Sequence, residues 1–140
     1  MAERNGLLQA FQEIQRALDS IETLPECDLT PLPPSQSPFP ALYLFWDDES
    51  LQIEGGDLKW IEPFNARLTL KAWLYLATEK NSDAVIQLIE KVQLVKDVIK
   101  ETTAVAETWK GNVTHVNAMY GSEPRYWAGA EITILVGEYL

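Results

Sequence analysis

The segment Arg67–Thr78 carries the clearest alternation in the chain. Leu68, Leu70, Ala72, Leu74 and Leu76 take every second position, and Arg67, Thr69, Lys71, Trp73 and Tyr75 take those between. A period of two is that of a β-strand, with one row of side chains on each face. The leucine row has to be covered by a second layer, so helices must pack on that side. The other row mixes charge with aromatic rings. Such a face expects half cover at most, and a neighbouring chain is one candidate for it.

Two segments have helical spacing. Near the N-terminus Leu7, Phe11, Ile14, Leu18 and Ile21 recur at intervals of three and four, and Leu8 widens the stripe. This helix should end near Thr23, because Pro25 follows and the residue before a proline avoids the helical region. The second helix opens at Asn81-Ser82-Asp83, where Asn81 or Ser82 can cap it and Asp83 puts negative charge in the first turn. Its buried stripe is read as Val85, Leu88, Ile89, Val92, Val95 and Ile99, with Ile86, Leu94 and Val98 broadening the apolar surface. Running to about Thr102, it would be about 30 Å long.

Between the first helix and the sheet lies a proline-rich connector at 25–40, holding six of the eight prolines. Each proline lacks an N–H, so no regular element is expected there, and polyproline character is expected around Leu32-Pro33-Pro34. Ala41–Trp46 reads as a strand apolar on both faces. Leu51–Glu54 and Leu58–Ile61 flank Gly55-Gly56, the signal of a β-hairpin, here expected to project from the domain. Two closing strands follow. One covers 112–120, with Thr114, Val116, Ala118 and Tyr120 on one face and Val113, His115 and Asn117 on the other. The second alternates through Ala130, Ile132, Ile134 and Val136, and the two should pair as an antiparallel hairpin. The expected class is α+β: an antiparallel or mixed sheet with two helices on one face, forming a single domain over 1–140.

Reactive chemistry is poorly supported. A net charge of −10, from 11 basic and 21 acidic residues, is the wrong sign for a free nucleic-acid binder. One Cys and one His exclude a Cys/His zinc site within one chain. Asp47-Asp48-Glu49 lacks EF-hand spacing and reads as a solvated acidic loop. His115 has no partnering carboxylate pattern. Cys27 lies between Glu26 and Asp28, whose charges raise a thiol pKa. Gly55-Gly56 lacks the lysine of a phosphate cradle. No catalytic residue, cofactor or metal ligand is expected, and the chain is not expected to be an enzyme. The longest apolar run, Ala41–Trp46, is far short of a membrane span, and MAERNG is not followed by a secretory apolar segment. Cys27 is in keeping with a reducing cytoplasm.

Aromatic surface is left over. Five tryptophans are many for one small core. Trp46 can belong to the core. Trp60, Trp73, Tyr75 and Trp127, together with the hairpin tip Gly55 and Gly56, are the candidate interface residues, because tryptophan anchors desolvated contacts well.

The whole chain resembles the tail terminator (tail-completion) proteins of long-tailed bacteriophages and prophages. The resemblance lies in the element order and in three stretches: RLTLKAWLYLAT, NSDAVIQLIEKVQLVKDVIKE and YGSEPRYWAGAEITILVGEYL. In the last, an acidic-proline turn leads through Ala128-Gly129-Ala130 into the final strand. The resemblance implies a structural virion protein, assembled in the host cytoplasm and located at the head–tail junction. It would form a homo-oligomeric ring, a hexamer, that caps the tail tube, ends its elongation and meets the head-side connector. Its partners would be itself, the tail tube protein and the connector protein. DNA would pass through the ring without specific binding, and no membrane would be involved. Other head–tail joining, head-closure or tail-tube subunits share parts of this pattern. A small cytoplasmic binding module or enzyme is the more distant alternative.

Overall fold

The computed structural model describes residues 6–47, 52–53, 64–77, 83–122 and 126–139. The elements run α1 (Gly6–Asp19), β1 (Cys27–Asp28), β2 (Ala41–Trp46), β3 (Gln52–Ile53), β4 (Phe64–Ala77), α2 (Asp83–Ala104), β5 (Trp109–Gly121) and β6 (Trp127–Tyr139). Among the described residues the strands form one sheet in the order β1-β2-β4-β6-β5, and β3 also pairs with β4. β1 lies parallel to β2 and every other pairing is antiparallel, so the sheet is mixed. Both helices cover one face, as an α+β fold requires.

β4 and β6 are the centre of the sheet. Their register sets Leu70 opposite Ile134, Ala72 opposite Ile132 and Leu74 opposite Ala130, all fully buried. With Leu42 and Leu44 of β2 they make the floor on which Ile14, Leu18, Leu88, Val95 and Ile99 of the helices pack. Burying side chains of this size contributes roughly 1.5–3 kcal/mol each.

The helices meet this floor along rows slightly different from those the periodicity suggests. In α1 the buried row is Gly6, Ala10, Ile14 and Leu18, while Leu7 and Phe11 flank it and Leu8 is exposed. The small residues explain the rotation: a Cβ at Gly6 would come within 2.6 Å of the Glu138 side chain and 2.7 Å of the Thr108 carbonyl. The helix ends at Asp19, before Thr23, in successive turns closed by Ile21 N–H to the Leu18 carbonyl and Leu24 N–H to the Ile21 carbonyl. Asp19 then accepts the Cys27 N–H at 2.7 Å, tying the helix end to β1. In α2, about 33 Å long, Ala84, Leu88, Val95 and Ile99 are buried, but Val85 and Ile89 of the expected stripe are 43% and 63% exposed.

The proline-rich segment departs from the polyproline expectation. Gln36 and Ser37 N–H both donate to the Pro33 carbonyl, at 2.9 and 3.0 Å, so the chain turns there. The turn brings Leu32 and Phe39 back over the sheet face opposite the helices. The Gly55-Gly56 hairpin falls outside the described residues, but Gln52 and Ile53 pair with Arg67 and Ala66, prolonging the line of β2 along β4.

β5 starts at Trp109, earlier than the alternation suggests, and Trp109 is fully buried with its Nε1–H donated to Glu13 of α1. A register shift lies between Val113 and His115. It puts Val113 with the helix-side row while His115 and Asn117 take the other face, a separation that strict alternation cannot express. Trp46, for which the sequence leaves a core position open, is 46% exposed at the end of β2.

Leu74→Ala removes a fully buried side chain at the middle of this floor. Urea unfolding should show a loss of about 2–5 kcal/mol, with the denaturant slope unchanged.

Candidate assembly surface

The aromatic face of the sheet divides into two halves. On the first, Ala41, Tyr43, Tyr75 and Trp127 are buried beneath Leu32 and Phe39. Phe39 stacks on Trp127 with centroids 6.2 Å apart and meets Tyr75 edge-on at 5.9 Å. The Tyr75 hydroxyl donates to the Leu32 carbonyl at 3.0 Å, and Ser37 Oγ shares a 2.6 Å hydrogen bond with the Tyr43 hydroxyl. Gly129 leaves room for these rings, since a Cβ there would be 3.1 Å from both Trp127 Cζ3 and Tyr75 Cδ1. Burial, with Tyr43 and Glu131 nearby, raises the Tyr75 hydroxyl to about 12.

The second half is polar and open. Trp73 lies edge-on to Phe45 at 4.7 Å and donates its Nε1–H to Glu131 at 2.8 Å. Lys71 Nζ reaches Glu131 at 3.3 Å and Thr133 Oγ1 at 3.0 Å. The Trp73 hydrogen bond, then Lys71 and His115, hold the Glu131 carboxyl below its ordinary value against a smaller opposing effect of burial. His115 is exposed beside Thr133. The row binds strand to strand and contains no nucleophile with a base beside it.

These positions revise the interface expectation. Tyr75 and Trp127 are 1% and 9% exposed and are enclosed by their own chain, because the connector folds over them. Trp73 is half-buried. Trp60, Gly55 and Gly56 lie outside the described residues. The expected half cover of this face is supplied from within the chain.

Neither the lone thiol nor the acids gather into a reactive centre among the described residues. Cys27 is buried, and burial, then Asp19 and Asp28, pushes its thiol up to about 12. Asp19, eight residues away, acts where the sequence suggested Glu26. No group of three His, Cys, Asp or Glu side chains converges among the described residues, and no described helix is long and apolar enough to cross a membrane. A cleft of about 460 Å³ between the ends of α1 and α2 is rimmed by Glu13, Arg16 and Glu101, with Val105 and Ala106 in its wall.

The feature that local patterning missed lies at the far edge of the sheet. A groove of about 420 Å³ separates α2 from the outer half of β5. Val85, Ile89 and Val92 form its helix wall, Val116, Ala118 and Tyr120 its strand wall, and Gln93 and Lys96 stand at the rim. Tyr120 is 57% exposed and Ile89 63%. Small side chains cause the gap: Ala118 and Ala130 give the sheet too little bulk to reach the helix. Beside the groove, the thirteen-residue β5 has no strand on its outer side among the described residues. Near its start the Gly111 N–H already donates to Thr103 Oγ1 of α2 at 2.6 Å; beyond that point an edge strand presents main-chain N–H and C=O groups to an approaching chain. The clue in the sequence was the small-residue run Ala128-Gly129-Ala130 beneath a helix with too many apolar residues for one stripe.

No protein-family model matches this chain, and no curated protein matches it in sequence.

Two measurements check the chemistry of this region. Glu131 contributes stability in full above the ordinary glutamate value of about 4.3, and that contribution is lost as pH falls through its depressed value. Between pH 5 and about 2, stability should therefore fall more steeply for the native chain than for Glu131→Gln. Native Cys27 should resist iodoacetamide at pH 8 and react only as fast as the chain unfolds; rapid labelling by mass spectrometry would contradict its burial.

Proposed function

We propose that this chain is a structural subunit that self-associates into a ring of the tail-terminator kind. The ring caps a phage tail tube, ends its growth and presents a face to the head-side connector. The observation that carries this reading is the edge of β5, which has no strand on its outer side among the described residues, running beside an exposed apolar groove on α2. Main-chain hydrogen bonds along a strand edge and desolvated side chains next to it are how sheets recruit further chains. The likeness of the whole chain to tail terminators supports the same reading. The net charge of −10 suits a conduit, since an acidic ring repels passing DNA instead of gripping it. Virion location and the tube and connector partners belong to this proposal.

The test is assembly. Light scattering over a range of concentrations should show a defined oligomer, and electron microscopy of tail tubes incubated with the protein should show capped ends and no further growth. A monomer at every concentration that leaves tubes uncapped would refute the reading. Ile89→Asp places a charge in the groove at an exposed position, where stability should change by only about 0.5 kcal/mol. The variant should keep its unfolding midpoint and lose the oligomer.

A further inference from the structure

We infer that the free chain forms a two-fold dimer in which the outer half of β5 pairs antiparallel with the same stretch of a second copy, Ala118 opposite Ala118. The inference goes beyond the ring-subunit reading, because it concerns the chain before it meets any other component.

The β5 edge is not uniform. Its first half is guarded. Lys110 is exposed there, Thr103 Oγ1 of α2 takes the Gly111 N–H at 2.6 Å, and a bulge lies between Val113 and His115. A lysine, a bulge and cover by a neighbouring element are the means by which edge strands avoid pairing. His115 to Gly121 has none of these guards. It contains no Asp, Glu, Lys, Arg or Pro and keeps an unbroken register with β6.

The direction of the main chain follows from two hydrogen bonds. The Thr108 carbonyl accepts the Tyr139 N–H at 3.0 Å, so odd-numbered residues of β6 face β5. The Gly111 N–H points the other way, to α2. Past the bulge, His115, Asn117 and Met119 stand opposite Thr133, Glu131 and Gly129 and therefore face β6. Val116, Ala118 and Tyr120 turn their N–H and C=O groups outward, to the side where no strand lies among the described residues.

A second copy of the same stretch fits these groups. The unguarded run 115–121 is centred on Ala118. A two-fold there sets Val116 against Tyr120 of the second copy, Tyr120 against its Val116, and Ala118 against itself, each pair exchanging two main-chain hydrogen bonds. A β-branched residue opposite an aromatic one is a favourable cross-strand pair, and no like charges meet within the run. Other antiparallel phases push one copy into the bulge or past the end of the strand. The outward residues also line the groove, so the second copy's Val116 and Tyr120 come beside the exposed Val85 and Ile89 of α2. Seven residues span about 23 Å, and the sheet with its helix layer is about 20 Å thick. Two such footprints approach the roughly 1,000 Å² of a specific interface. A two-fold contact is complete with two copies and does not propagate. In the ring-subunit reading this dimer is a resting form that must open before the edge can be used in a ring.

Cysteine scanning of the full chain tests the pairing, native Cys27 being buried. Under mild oxidation with copper–phenanthroline, Ala118→Cys should give a covalent dimer, because the paired Cα atoms lie about 5.5 Å apart. Val116→Cys alone should not cross-link, its two copies being about 13 Å apart along the strands. A mixture of Val116→Cys and Tyr120→Cys should link one variant to the other. Ala118→Pro removes an outward N–H that β6 does not use, so the urea midpoint should hold while the dimer dissociation constant rises at least about tenfold. Val116→Lys, an exposed charge on the same edge, should do likewise if the proline variant does not fold. A monomeric native chain, no link through residue 118, an equal link through Val116→Cys alone, or a native-strength dimer in the folded edge variants overturns the inference. Capping of tail tubes, assayed separately, decides the ring-subunit reading whichever way the cross-linking falls.

Discussion

The fold depends on the pairing of β4 with β6. Twelve consecutive positions, Ala66 to Ala77, are in one register, and the two faces they create are not interchangeable. One carries Leu70, Leu74, Ile132 and Ile134 under the helices, and the other carries Lys71, Trp73, Glu131 and Thr133. A slip of one residue would drive the ion pair into the helix layer and the leucines out of it, a penalty far above the small net stability of a domain. The helices are fastened to this pair at both ends. Glu138, at the end of β6, accepts the Leu7 N–H at 3.4 Å, at the start of α1, and places negative charge where the helix dipole favours it. Asp19 fastens the other end of α1 through Cys27.

The proline-rich segment determines which aromatic rings are enclosed. By turning at Pro33 it returns over Tyr43, Tyr75 and Trp127 and buries them. What is left on that face is a polar row joined by cross-strand hydrogen bonds, already satisfied within the chain. The exposed apolar area is displaced to the sheet edge, where α2 stands over small residues and cannot close on β5. In the proposed ring, a subunit whose sheet ends in two unlike edges would be suited to closure.

Particular residues show how far patterning reaches. Alternation in Arg67–Thr78 and in Ala130–Val136 defined the central strands and their buried rows, because period two follows directly from the backbone. Spacing located both helices but misjudged their orientation: Val85 and Ile89 are apolar at helical intervals, yet the sheet beneath them is too shallow to bury them. The bulge between Val113 and His115 separated neighbours that a strict period keeps together. Trp127 and Tyr75 were aromatic and on a mixed face, and nothing local marked the connector as their cover.

The sequence alone determined most of the elements, their approximate limits and the helix-covered face, though not β1 inside the proline-rich segment. Those properties follow from short-range rules: periodicity and proline geometry. Only the tertiary structure decided which aromatic rings are enclosed, which edge is left unpaired and where a groove opens. These depend on the relative height of surfaces brought together from distant parts of the chain, and side-chain volume across a contact is not recorded in the pattern of either partner.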